Sequence, residues 1–217
     1  MSKSKNLYSR AQIYLLFILI LLGVSKASGD DISFLNDLEL IETYKADFIQ
    51  KSIGNDQSID EIVKGTFYFK RPGMFLWFSS PPNNQKIIVN KQTVWIHDID
   101  FNQVIVRSLD NEIKKTPLFL LINGPELLSE NYLIEKAVAE QTEQTTEYIF
   151  KNKMDGNNIQ LFSAKINSGL IHSLKIEDRI LGSIEINFKN IEKNIALEES
   201  MFIYLSLIHI SEPTRPL

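Results

Sequence analysis

A mainly β fold, an antiparallel barrel or strongly curved sheet, is what this sequence predicts. From about residue 62 onward, apolar side chains recur with a period of two, the spacing of strands that present alternate residues to opposite faces. Turn-forming residues interrupt the pattern at short, regular intervals, as hairpins require. The third observation is the stretch GTFYFKRPGMFLWF (65–78). It reads as two amphipathic strands joined by an Arg-Pro-Gly turn. Phe67, Phe69, Phe75 and Trp77 fall on one face, and Tyr68, Met74, Leu76 and Phe78 on the other. A sheet apolar on both faces needs a helix, a second sheet or an apolar ligand against it.

The elements follow in order. Residues 1–27 are expected to be a secretory signal peptide, with a basic start (Lys3, Lys5, Arg10), an apolar run Ile13–Val24 and a small-x-small site Ser25-Lys26-Ala27. That run is shorter than the about 20 residues a membrane span needs. Asp30, Asp31 and Ser33 offer N-caps for a helix reaching roughly Phe48, with Phe34, Leu38, Ile41 and Phe48 as its apolar stripe. Strands are expected at Val63–Lys70, Met74–Ser79, Lys86–Asn90, Thr93–Ile96, Phe101–Ser108 and Tyr132–Ala139. More follow at Thr146–Lys151, Ile159–Ile166, Ile171–Glu177, Ser183–Phe188 and Met201–Tyr204. Asn83-Asn84, Asn90-Lys91, Asp155–Asn158, Asn167-Ser168-Gly169 and Leu181-Gly182 supply the turns. One segment breaks the rhythm. Thr116-Pro117 opens a short helix with Thr as N-cap and Pro at the first position, and Gly124-Pro125 stops it. Leu118, Leu121 and Ile122 share its apolar face, as a lid over a barrel mouth or a helix plugging a core would have it. Residues 205–217 do not continue the pattern. SLIHISEPTRP resembles translated sequencing-adaptor sequence, so a non-native tail is expected there.

Charge and composition narrow the function. Removing residues 1–27 lowers Lys+Arg from 23 to 19 against 27 acidic residues, a net charge of about −8. An acidic chain without a basic run does not suit nucleic acid, where phosphate contacts supply most of the affinity. The chain has no cysteine, hence no disulfide and no N-terminal Cys to carry lipid. His97 and Asp98 are neighbours on a strand, so their side chains point to opposite faces; His172 lies in another hairpin. No metal-ligand spacing, nucleophile motif or phosphate-binding glycine loop is present. The expectation is a protein that is not an enzyme, with no cofactor and no metal, built to handle lipid.

Several segments in register resemble one family. ADFIQ (46–50), GTFYFKRPGMFLWFSSPPNNQKIIVN (65–90), VWIHDIDFNQVIV (94–106), TPLFLL (116–121) and IEDRILGSIEINFKNI (176–191) are similar to the periplasmic outer-membrane lipoprotein carrier family, LolA, from about Asp31 to Tyr204. Asn90-Lys91 stands where the family usually has an Asp-Gly turn, and the family's C-terminal strand is missing. The resemblance implies an incomplete antiparallel β-barrel closed by short helices around an apolar cavity, over residues 28–204. It implies a monomeric periplasmic carrier that takes triacylated lipoproteins from an inner-membrane ABC-type release complex and passes them to an outer-membrane lipoprotein receptor. Phe67, Phe69, Phe75, Trp77, Leu118, Leu121 and Ile122 would then contact acyl chains. Arg71 would latch the 116–122 lid through its backbone carbonyls. The runner-up is a lipid-sensing regulatory half-barrel of the cell envelope, which generally carries a further domain. The outer-membrane receptor shares the fold but is anchored through a cysteine this chain lacks.

Overall fold

Ser33–Glu39 form the first helix, α1, which buries Phe34, Leu35 and Leu38. The computed structural model describes residues 33–109, 116–123, 125–137, 145–153, 159–178 and 182–205. The signal-peptide expectation and the tail beyond Leu205 lie outside them. The helix expected to reach Phe48 ends at Glu39, and β1 (Thr43–Ile53) begins four residues later. The stripe at 34, 38 and 41 runs on into Tyr44, Ala46 and Phe48, which alternate with Lys45 and Asp47. That alternation is the strand period, and it wins once aromatic side chains replace the helix formers.

The remaining strands follow the expected rhythm: β2 (Ile59–Lys70), β3 (Met74–Ser79), β4 (Gln85–Asn90), β5 (Thr93–Asp98) and β6 (Gln103–Ser108). Two short helices interrupt, α2 (Pro117–Asn123) and α3 (Pro125–Asn131). The sheet resumes with β7 (Tyr132–Lys136), β8 (Thr145–Asn152), β9 (Ile159–Asn167), β10 (Leu170–Asp178) and β11 (Gly182–Lys193). The strand expected at Met201–Tyr204 is instead a 3-10 turn, Glu199–Phe202. All eleven strands form one antiparallel sheet in the order β6-β5-β4-β3-β2-β1-β11-β10-β9-β8-β7. β1 therefore joins the two meanders, and β6 and β7 are left as separate edges: a barrel that is not closed.

Register assigns the faces. Phe67 pairs with Trp77 and Phe69 with Phe75, while Tyr68 pairs with Leu76 and Lys70 with Met74. Directly opposed residues share a face, so the two expected aromatic sets lie on opposite sides. The inner set joins a core that spans both meanders, from Phe67 and Trp77 to Phe150, Phe162 and Leu174, and includes Leu38 of α1, Leu120 of α2 and Leu128 of α3. The outer set, Met74, Leu76 and Ile88, is covered by Phe202, with Leu197, Met201 and Tyr204 beside it. Gly65 makes the inner packing possible. A Cβ there would stand 1.9 Å from the carbonyl oxygen of Phe78 and 2.8 Å from the Phe48 ring.

Candidate functional site

The inner face is closed by helices and filled by rings. Tyr44 stacks on Phe69 with centroids 5.3 Å apart. Phe48 lies 3.8 Å from Trp77, which is 5.6 Å from Phe67. On the other meander Phe150 stacks on Phe162 at 4.2 Å, and Phe34 of α1 stacks on Tyr148 at 4.0 Å. Phe67, Phe69 and Trp77 are buried, whereas Phe75 is half-buried between this cluster and a second one made by Val89, Val94, Leu109 and Phe119. Burial pushes the Tyr44 phenol well above its ordinary range, and its O–H donates to the Ile171 carbonyl at 2.8 Å.

Two elements shut the face. α1 lies between the meanders, and Arg71 holds its C-terminal end. Nε of Arg71 donates to the Ile41 carbonyl at 2.7 Å and Nη2 to the Leu38 carbonyl at 2.8 Å. The Arg71 amide donates to the Glu42 carbonyl at 2.9 Å. Leu38 lies in the last turn of α1, where its carbonyl also accepts the Ile41 amide at 3.2 Å, and Ile41 lies in the turn that follows; the guanidinium fork fits both carbonyls at once. The resemblance implies bonds from Arg71 to the carbonyls of the 116–122 helix; the fork instead reaches the end of α1 and the turn after it. The carbonyls of Leu38 and Ile41 lie about thirty residues upstream, on an element the period-3.6 reading extended through them into β1. Burial lowers the Arg71 pKa; the charges of Glu42 and Glu39 oppose that.

On the far side of the same corner Asn194, which no sequence motif marked, does the corresponding job. Its side chain accepts from the Glu42 amide at 2.9 Å and donates to the Leu40 carbonyl at 3.0 Å, and its amide donates to the Thr43 carbonyl at 2.8 Å. Its φ of 55° is left-handed, a conformation Asn tolerates.

The second element is α2. Thr116 starts it by accepting the Leu120 amide at 3.0 Å, and Asn123 closes it by donating from its side chain to the Phe119 carbonyl at 2.8 Å. Leu118 packs half-buried against the main core. Phe119 and Leu120, not singled out from periodicity, are buried. The side chains of Leu121 and Ile122 lie outside the described residues.

An opening of about 500 Å³ reaches the inner face at the end away from Arg71, within the range of ligand pockets. Trp77, Val63 and Ile87 form its apolar part; Glu61, Asp98 and Asp100 rim it. A larger groove of about 960 Å³ lies on the outer face, between Tyr68, Leu76, His97 and the segment Met201–Leu205. That segment walls it, so its volume reflects how residues 200–205 sit on the sheet. The inner face, covered by α1 and α2 and lined by rings, is the better candidate for taking up an apolar ligand.

Residues 39–204 match the family model described as outer membrane lipoprotein carrier protein LolA. The chain belongs to the LolA family. An outer-membrane lipoprotein carrier protein of Azotobacter vinelandii is 27% identical over 191 residues, covering 87% of this chain and 91% of that protein. One from Hahella chejuensis is 28% identical over 165 residues, covering 76% and 78%. Among solved structures, an uncharacterized conserved protein of Thermus thermophilus superposes with a TM-score of 0.53 at 9% identity, over 84% of this chain and 96% of that one. MucB superposes at 0.52 with 11% identity, over 83% and 64%. At such identities these two show the fold alone. The LolA match supports a lipoprotein carrier role for this half-barrel.

Proposed function

We propose that this LolA-family chain is exported through its N-terminal leader and carries lipoproteins across the periplasm with their acyl chains against the inner face. Cargo would come from an inner-membrane ABC-type release complex and pass to an outer-membrane receptor. The observation that carries the reading is the inner face itself: Phe67, Phe69, Phe75 and Trp77 beneath two short helices, one bonded by Arg71 at its last turn and at the turn that follows.

The magnitudes suit exchange rather than storage. Each methylene kept from water is worth about 0.8 kcal/mol, so three long acyl chains represent tens of kcal/mol against water. Non-covalent affinity saturates near roughly −20 kcal/mol, so a carrier works by apolar-to-apolar exchange. In the closed form the rings of the inner face satisfy one another. Acyl chains must displace α1 and α2 and replace ring–ring contacts with ring–chain contacts of similar worth. Loading then draws its energy from the partner that releases cargo from the membrane.

Phe75 is the residue to test. It is half-buried where the main core meets the cluster under α2, and it would touch either acyl chains or the partner that loads them. A folded Phe75→Glu variant is expected to lose lipoprotein loading or hand-over in a reconstituted transfer assay. Transfer at the wild-type rate by that variant would remove the role.

A further inference from the structure

We propose that β6 is a docking edge for the cargo's polypeptide: the extended tether following the acylated residue adds to it as a twelfth strand. The proposal rests on the carrier reading above. Among the described residues β6 pairs with β5 alone. The bond from the Leu109 amide to the Gln92 carbonyl, 2.7 Å, sets the phase of that ladder. Antiparallel pairs alternate between hydrogen-bonded and non-bonded, and Leu109 and Gln92 continue the register in which Val94 faces Arg107 and Ile96 faces Ile105. Residues 103, 105 and 107 thus bond to β5, while Val104, Val106 and Ser108 direct their N–H and C=O groups outward.

β6 carries one guard, Arg107, which opposes Val94 and so lies on the inner side; it has no proline and no lysine. Natural edges are blunted by proline, inward charge or lysine. β7 carries Glu135 and Lys136, but β6 reads Gln-Val-Ile-Val-Arg-Ser. Ile105 is 49% exposed on the inner side, and Val106 is 59% exposed on the outer side. Such a strand offers main-chain bonds for affinity and two apolar side chains for grip. Main-chain pairing ignores side-chain identity, which suits cargo polypeptides that differ in sequence and share the lipid.

Position favours the tether as occupant. Leu109, the residue after β6, packs with Val94 against Phe119 of α2, so the edge runs on from the helix that covers the inner face. A chain anchored by its lipid under α2 emerges beside β6. Anchoring gives it an effective concentration in the millimolar range, at which even weak strand addition is occupied.

Two probes test this: a tripalmitoyl-cysteine derivative alone, and the same lipid bearing about ten uncharged residues, enough to run the length of a strand. The tether should raise affinity about tenfold, consistent with a few net hydrogen bonds. Hydrogen exchange should then slow at Val104, Val106 and Ser108 with the tethered probe alone. Val106→Pro removes an outward N–H and leaves the β5 ladder intact. It should abolish the tether's gain without changing affinity for the bare lipid. Equal affinity for both probes, with no protection on β6, would overturn the proposal and leave acyl carriage standing. If neither probe binds, the carrier reading fails and takes the proposal with it. Protection that grows with protein concentration without probe would mean that a second copy fills the edge, and would also overturn it.

Discussion

Arg71 and Asn194 grip one corner of the chain from opposite sides. Arg71 bonds the carbonyls of Leu38, Ile41 and Glu42, and Asn194 bonds Leu40, Glu42 and Thr43. Of these the Leu38 bond alone reaches into α1, so a latch role asks only that this bond break while the corner keeps its place. A hydrogen bond to a charged group is worth about 1.5–3 kcal/mol, enough to favour closure and weak enough for entering acyl chains to outcompete. Arg71→Leu is expected to raise hydrogen exchange in α1 and slow hand-over to the receptor without preventing loading; Arg71→Lys should recover part of both. Wild-type exchange rates in Arg71→Leu would show that the fork holds nothing. Tyr44 gives a pH test. Its folded pKa lies above the unfolded phenol value, so its contribution is complete below about pH 10 and is lost as pH rises further. Alkaline unfolding should therefore lose steepness in Tyr44→Phe.

At the scale of elements, the paired aromatic strands were legible in full. Alternation alone put Phe67, Phe69, Phe75 and Trp77 on one face, and register confirms it. Turn chemistry served equally well where a left-handed residue is needed, as at Lys91 and at Ser168-Gly169. What failed was the boundary of α1, because an apolar stripe at 34, 38 and 41 meets a strand whose first inward residues extend it. Phe119 and Leu120, buried on α2, were not singled out, since a seven-residue helix in which almost every residue is apolar has no periodicity to read. Contacts between distant segments, such as Arg71 with Leu38, leave no local trace. If α2 is a lid, its movement is required. A cysteine pair at Phe119 and Val94, which share one buried cluster, should block acyl uptake when oxidised and restore it on reduction. Uptake unchanged by oxidation, with the disulfide verified by mass, would make α2 static core.

As a whole, the molecule is one sheet with two unlike covers. Helices close the inner face, and the segment from Leu197 to Tyr204 lies on the outer one. The hydrophobic requirement visible in the sequence at residues 65–78 is met twice, once by short helices and once by an extended strap with a 3-10 turn. This division makes a prediction that separates stability from carriage. Phe202 is fully buried against Met74, Leu76 and Ile88, and truncating such a ring leaves a cavity costing about 3–5 kcal/mol. Phe202→Ala should therefore lower the unfolding free energy substantially. The inner rings, α1 and the Arg71 fork do not touch Phe202's cluster, and effects at sites without shared partners add independently. Affinity for an acyl probe, measured well below the variant's Tm, should match wild type, whereas Phe75→Glu should lose affinity or transfer with stability largely kept. If Phe202→Ala instead loses acyl affinity while still folded, lipid must reach the outer groove. The carrier's binding surface would then lie on the side of the sheet opposite the helices.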